Sequence, residues 1–111
     1  MDERGRRIGE NEGLFREVNE RIKGVSEGFS LVLENAEFVC ECGQLDCSER
    51  ITMTLEDYER VRKEPTWFAI VPGHEIPDVE TVVERNPAYH VVRKDEGEPA
   101  QLARETDPRS P

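Results

Sequence analysis

The chain predicts an α+β domain: a small, mostly antiparallel sheet packed with two or three helices and carrying a cysteine-bearing β-hairpin. Three observations predict it. An amphipathic stretch, "NEGLFREVNERIKGV", opens the chain. Short β-branched and aromatic runs follow, among them "EFVCE", "ERITMT", "WFAIVP" and "AYHVVRK". Turn and cap signals (Gly43, Thr54, Pro65, "PGHEIP") separate these runs at short intervals.

Residues 1–10 read as a flexible, charge-balanced N-terminus, residues 11–95 as one α+β metal-binding domain, and residues 96–111 as a polar C-terminal tail. Within the domain, Leu14, Phe15, Val18, Ile22 and Val25 recur at helical spacing. They predict a helix over about 12–24 with Asn11 as N-cap and Gly24 or Gly28 as stop, its apolar stripe laid on a sheet. "FSLVLE" alternates weakly and reads as a strand. "EFVCE" and "ERITMT" read as antiparallel partners across the cysteine loop. Thr54-Leu55-Glu56-Asp57 resembles a capping box with Asp in the Glu position, opening a helix that buries Leu55, Tyr58 and Val61 and stops before Pro65. "WFAIVP" is a short buried strand and "PGHEIP" a turn. "DVETVVER" is read as two helical turns with Asp78 as N-cap and Val79, Val82 and Val83 inward. "AYHVVRK" is the last strand, with helix again near Pro99–Arg104.

A length of 111 residues suits one domain, and 35% hydrophobic against 36% charged residues means a lean core under a solvated surface. Such a domain gains from an added staple, and a structural metal is one. Fifteen Lys and Arg against 25 Asp and Glu give a formal charge of −10. That balance argues against a nucleic-acid binder and against an anionic membrane surface, and it suits a basic protein partner. No apolar run reaches the roughly 18–20 residues of a membrane span, and "MDERGRRIGENEG" lacks the apolar core of a signal peptide. The expectation is a cytoplasmic protein with reduced thiols.

Every cysteine lies in "FVCECGQLDCSERI": Cys40, Cys42 and Cys47. The odd count defeats a complete internal disulfide framework. Along an extended strand Cys40 and Cys42 leave one face with Cα atoms about 6–7 Å apart. A turn through Gly43 then lets Cys47 return on the other arm. Three thiolates around a dication leave one negative charge, so a neutral imidazole is the favoured fourth donor. His74, in "PGHE", sits on a turn able to aim its side chain and is the candidate. His90 lies in a strand and reads as a solvent-facing residue, while Asp46, Glu41 and Glu75 are possible oxygen donors. The predicted site is therefore Cys40, Cys42, Cys47 and His74 around one zinc ion, with plain core or redox-active thiols as the alternative. Three cysteines and one histidine are also similar to the ligand set of the two-iron CDGSH cluster proteins. Here "DCSER" replaces that motif and His74 lies 27 residues after Cys47, which favours zinc.

From residue 14 to 109 the string "LFREVNERI … FVCECG … DC … PGHE … VVER … GEPAQLARETDPR" resembles a group of small uncharacterised bacterial proteins, mostly actinobacterial. The resemblance implies that Cys40, Cys42, Cys47, "PGHE" at 72–75 and "ETDPR" at 105–109 are shared features, and that the cysteines and His74 act as one site. It implies no activity. No phosphate loop or nucleophile elbow occurs, and a Cys–His nucleophile with Cys47 or Cys42 lacks an orienting third group. A catalytic zinc with Glu75 as base is disfavoured because three thiolates make the metal a poor Lewis acid. The functional expectation is a zinc-stabilised protein-binding or regulatory module, with a metalloenzyme or iron–sulfur protein the less favoured reading. A thiol-based redox or zinc-release sensor using the same cysteines is the alternative.

Overall fold

The computed structural model describes residues 3–27, 35–44 and 46–109. The elements run α1 (Glu3–Glu27), β1 (Asn35–Val39), β2 (Arg50–Thr54), α2 (Leu55–Arg62), β3 (Trp67–Ile70), β4 (Glu80–Arg85), β5 (His90–Lys94) and α3 (Glu98–Glu105). β1 and β2 form an antiparallel hairpin, and the other three strands form an antiparallel sheet in the order β3-β5-β4. The fold is α+β, as the run of periodicities predicted. The run "FSLVLE" falls outside the described residues.

The two sheets are stitched where β1 runs on into the cysteines. There the Glu41 amide donates to the Ala69 carbonyl at 2.9 Å, and the Ala69 amide donates back to the Glu41 carboxylate at 2.9 Å. Alternation in β1 and β2 sends Phe38, Ile51 and Met53 into one apolar cluster with Tyr58, Val61, Ala69, Tyr89 and Val91. Phe38 and Tyr58 stack face to face with ring centroids 4.4 Å apart. Trp67 packs half-buried against this cluster. Thr54 caps α2 as expected, its Oγ1 accepting from the Asp57 amide at 2.9 Å.

Three expectations are corrected. "DVETVVER" is a strand, not a helix. Its β-branched Thr81, Val82 and Val83 fit a pleated surface, and β4 pairs along β5 with a bulge between Val82 and Glu84. The first helix begins at Glu3, so Asn11 is interior to it and donates from Nδ2 to the Gly43 carbonyl at 3.1 Å. Most consequential is its orientation. Leu14, Val18 and Val25 are exposed, at 56%, 37% and 67%, whereas Glu12, Arg16 and Asn19 are fully buried; of the expected stripe only Phe15 and Ile22 are half-buried, Ile22 against the apolar cluster.

The reason is a polar core. Arg16 donates to the carbonyls of Pro65 and Ala103, at 2.5 and 2.6 Å, and its guanidinium lies over the Phe68 ring. Asn19 pairs with the backbone of Val39 through both ends of its amide. Buried Lys94 sits between Glu12 and Glu80 at 2.6 and 2.7 Å. Burial pushes the Glu12 carboxyl well above its ordinary value against the pull of Lys94. Gly9 and Gly13 leave room on α1 for Leu102 and Thr106 from α3 and its C-terminal end. The "ETDPR" segment is held by the fold itself, since Arg109 reaches both Glu20 on α1 and Glu59 on α2.

Candidate metal centre

Three local structures deliver four donor atoms to one point. The first is the extension of β1, where alternation puts Cys40 and Cys42 on one side and Glu41 on the other. Cys40 and Cys42 join the apolar cluster of Phe68, Ile70, Val92 and Ala103. Glu41 turns the opposite way, onto Arg62 at 2.7 Å, and so is not a donor. The second is the loop after Gly43. Gly43 has φ +81°, and a Cβ there would stand 2.6 Å from the Ile8 carbonyl oxygen. Only glycine meets both demands, which is how the chain reverses at once after Cys42 and returns Cys47. The third is the turn after β3. The His74 amide donates to the Val71 carbonyl at 3.0 Å, closing a four-residue turn with Pro72 second and Gly73 third. Gly73 at φ +93° gives it the type II pattern, the chemistry that "PGHE" predicted.

The donors are Cys40 Sγ, Cys42 Sγ, Cys47 Sγ and a His74 ring nitrogen, all within 4.8 Å of one another, and they could hold a metal ion. His74 Nδ1 lies 3.6 Å from Cys40 Sγ and 3.7 Å from Cys47 Sγ. Metal–sulfur bonds of about 2.3 Å and a metal–nitrogen bond of about 2.0 Å at tetrahedral angles put sulfur and nitrogen about 3.5 Å apart. Neither S···N separation needs to change by more than a small adjustment.

Backbone amides are directed at the sulfurs. Cys40 Sγ accepts the Val71 amide at 3.2 Å. The amides of Gln44 and Glu49 likewise serve Cys42 and Cys47, each from two residues further along the chain. A hydrogen bond from Cys40 draws Cys42 down to about 5, and burial pushes Cys47 up. The bond to Cys42, with burial, pushes Cys40 up strongly. A dication would bind the thiolates, so its uptake would release protons and depend on pH.

His74 is oriented from behind. Its Nε2 stands 3.0 Å from Glu49 Oε2, leaving Nδ1 directed at the sulfurs. This carboxylate–imidazole pair belongs to the usual surroundings of a metal-bound histidine. Sequence reading missed Glu49 because its role depends on the loop bringing it opposite a residue 25 positions away. A carboxylate two residues past the last cysteine of such a loop is the only local signal. Among the described residues His90, Asp46 and Glu75 stay outside the cluster. His90 is half-buried at the end of β5, paired between Ile70 and Arg85, rather than solvent-facing.

No family model matches the chain, and no curated protein or solved structure matches it. No described helix is long and apolar enough to cross a membrane.

Proposed function

We propose that this chain is a small zinc protein of the cytoplasm. One zinc ion on Cys40, Cys42, Cys47 and His74 ties the β1–β2 loop to the turn after β3, and the stabilised domain serves as a protein-binding or regulatory module. The observation that carries the reading is the set of three thiols and one imidazole gathered within 4.8 Å of one another, with backbone amides directed at the sulfurs. Thiolate and imidazole together select zinc over the harder cations, and a fourth protein donor leaves no open position for substrate. A role in binding a protein draws support from the exposed Leu14, Val18 and Val25 on α1. The formal charge of −10 favours a partner with a basic surface. The same site would be the shared feature of the small actinobacterial proteins that the chain resembles.

Elemental analysis of the purified protein tests it. The expected result is one zinc per chain, with a melting temperature that falls on chelation. Cys42→Ser loses the metal, and His74→Ala weakens zinc more than His90→Ala. Unchanged zinc content and melting in Cys42→Ser would sink the site, and iron with visible absorption would replace zinc with a cluster.

A further inference from the structure

The four donors are unequally sheltered. Cys40 is 2% exposed and Cys42 0%, packed under Phe68 and Ile70. Cys47 is half-buried, and its neighbours Asp46, Ser48 and Glu49 are exposed. Two clefts meet at this arm. One of about 260 Å³ is lined by Gln44, Asp46, Ser48, Glu49 and His74 with Cys47 in its wall. The other, of about 250 Å³, lies between the arm and Phe15, Val18 and Val39. Cys47 lines both clefts, Cys40 only the second and Cys42 neither, so Cys47 is the thiol that faces the most open space.

We infer that Cys47 is a modification site for hydroperoxides, through which oxidation ejects the metal. The inference rests on the zinc reading. A lone pair of Cys47 Sγ attacks one peroxide oxygen and the O–O bond breaks. The sulfur becomes a sulfenic acid, and the other oxygen leaves as hydroxide and takes up a proton as water. The thiolate of Cys40 or Cys42, within 4.8 Å, then attacks the sulfenyl sulfur, forms the S–S bond and expels a second hydroxide. Two thiolates have each given up one electron, and the peroxide has taken both. The ion is left with one thiolate and one imidazole, too few to hold it, and the loop is no longer tied to the His74 turn. A direct Cys40–Cys42 bridge is disfavoured because alternate strand residues stand about 6–7 Å apart at Cα, the outer limit of disulfide geometry.

The zinc-loaded protein is treated with hydrogen peroxide at neutral pH. Released zinc is followed with a chromophoric chelator, and the disulfide is mapped by peptide mass spectrometry. The expected result is one zinc released per chain, with Cys47 in the disulfide, reversed by dithiothreitol and added zinc. Zinc retained under excess peroxide overturns the inference, as does a Cys40–Cys42 bridge. Cys47→His keeps a donor at that corner without an oxidisable sulfur and should release zinc about tenfold more slowly. Release at the native rate would overturn the inference, and if that variant holds no zinc, the disulfide map of the native chain decides. A native chain that never carries zinc overturns the zinc reading itself. A chain that carries zinc and keeps it under peroxide overturns only the present inference.

Discussion

Two polar constructions meet back to back at Cys40-Glu41-Cys42, and they are built in opposite ways. On one side of the strand the metal corner gathers three of its four donors from eight consecutive residues and the fourth from a turn with its own sequence signal. On the other side Glu41 enters a network assembled from across the chain. Arg62 of α2 meets it at 2.7 and 3.3 Å, Asn19 of α1 at 2.7 Å and the Ala69 amide of β3 at 2.9 Å. The first construction is held by local geometry and an expected dication, the second by long-range burial of charge. Strand alternation lets three residues serve both without mixing them. The lesson is that a single extended segment can feed a metal on one face and an ion pair on the other.

The sharpest way to break this comparison is to remove the cation behind Glu41. Arg62 and Glu41 are 1% and 0% exposed at their side chains, so Arg62→Ala leaves a buried carboxylate without its hydrogen-bonded guanidinium. The expected loss is about 3–5 kcal/mol of unfolding free energy in a urea titration. Under conditions where the variant is still folded, zinc content should remain near one per chain. If the metal is lost from the folded variant, the two faces of the strand are one cooperative unit rather than two separate constructions.

A smaller effect tests the other side. Glu49→Gln keeps the size of the side chain but removes the charge that faces His74 Nε2 at 3.0 Å. Zinc affinity, read by competition with a chromophoric chelator, should fall about tenfold, the low end for groups behind a metal ligand, because the Glu49 side chain is 60% exposed. Urea stability of the zinc-saturated protein should scarcely move. An unchanged affinity would show that the Gly73 turn alone aims the imidazole.

The difference in construction also explains what was legible in the sequence. That Cys40, Cys42, Cys47 and His74 come together could be read because candidate metal donors are specific residue types at short spacings, and because Gly43 and "PGHE" announce the turns that bring them together. The α2 cap and the cysteine hairpin were legible for the same local reason. The polar core was not. Nothing near Arg16 or Asn19 in the chain signals burial, since their partners are the carbonyls of Pro65 and Ala103 and the backbone of Val39. Periodicity therefore chose the apolar stripe of α1 as the inner face, although tertiary partners had claimed the polar one and left only Phe15 and Ile22 of the stripe half-buried. "DVETVVER" failed similarly: Val79, Val82 and Val83 match a helical spacing, but pairing with β5 and the ion pair of Glu80 with Lys94 decide for a strand.

The smallest expected effect bears on that inversion. If the apolar stripe of α1 were the packed face, replacing Leu14 would open a cavity and cost about 2–5 kcal/mol. At 56% exposure the residue has little packing to lose, and its helix propensity differs little from that of glutamine. Leu14→Gln should therefore change unfolding free energy by less than about 0.5 kcal/mol, within the range of ordinary surface substitutions. Arg16→Gln, two positions on and fully buried, should cost several times more, because the shorter amide cannot reach both carbonyls that the guanidinium now serves. The ratio of the two losses is the decisive quantity, since it cancels any general sensitivity of the helix. A larger loss at Leu14 than at Arg16 would mean that α1 presents its apolar face inward after all, and the polar core would have to be rebuilt around other partners.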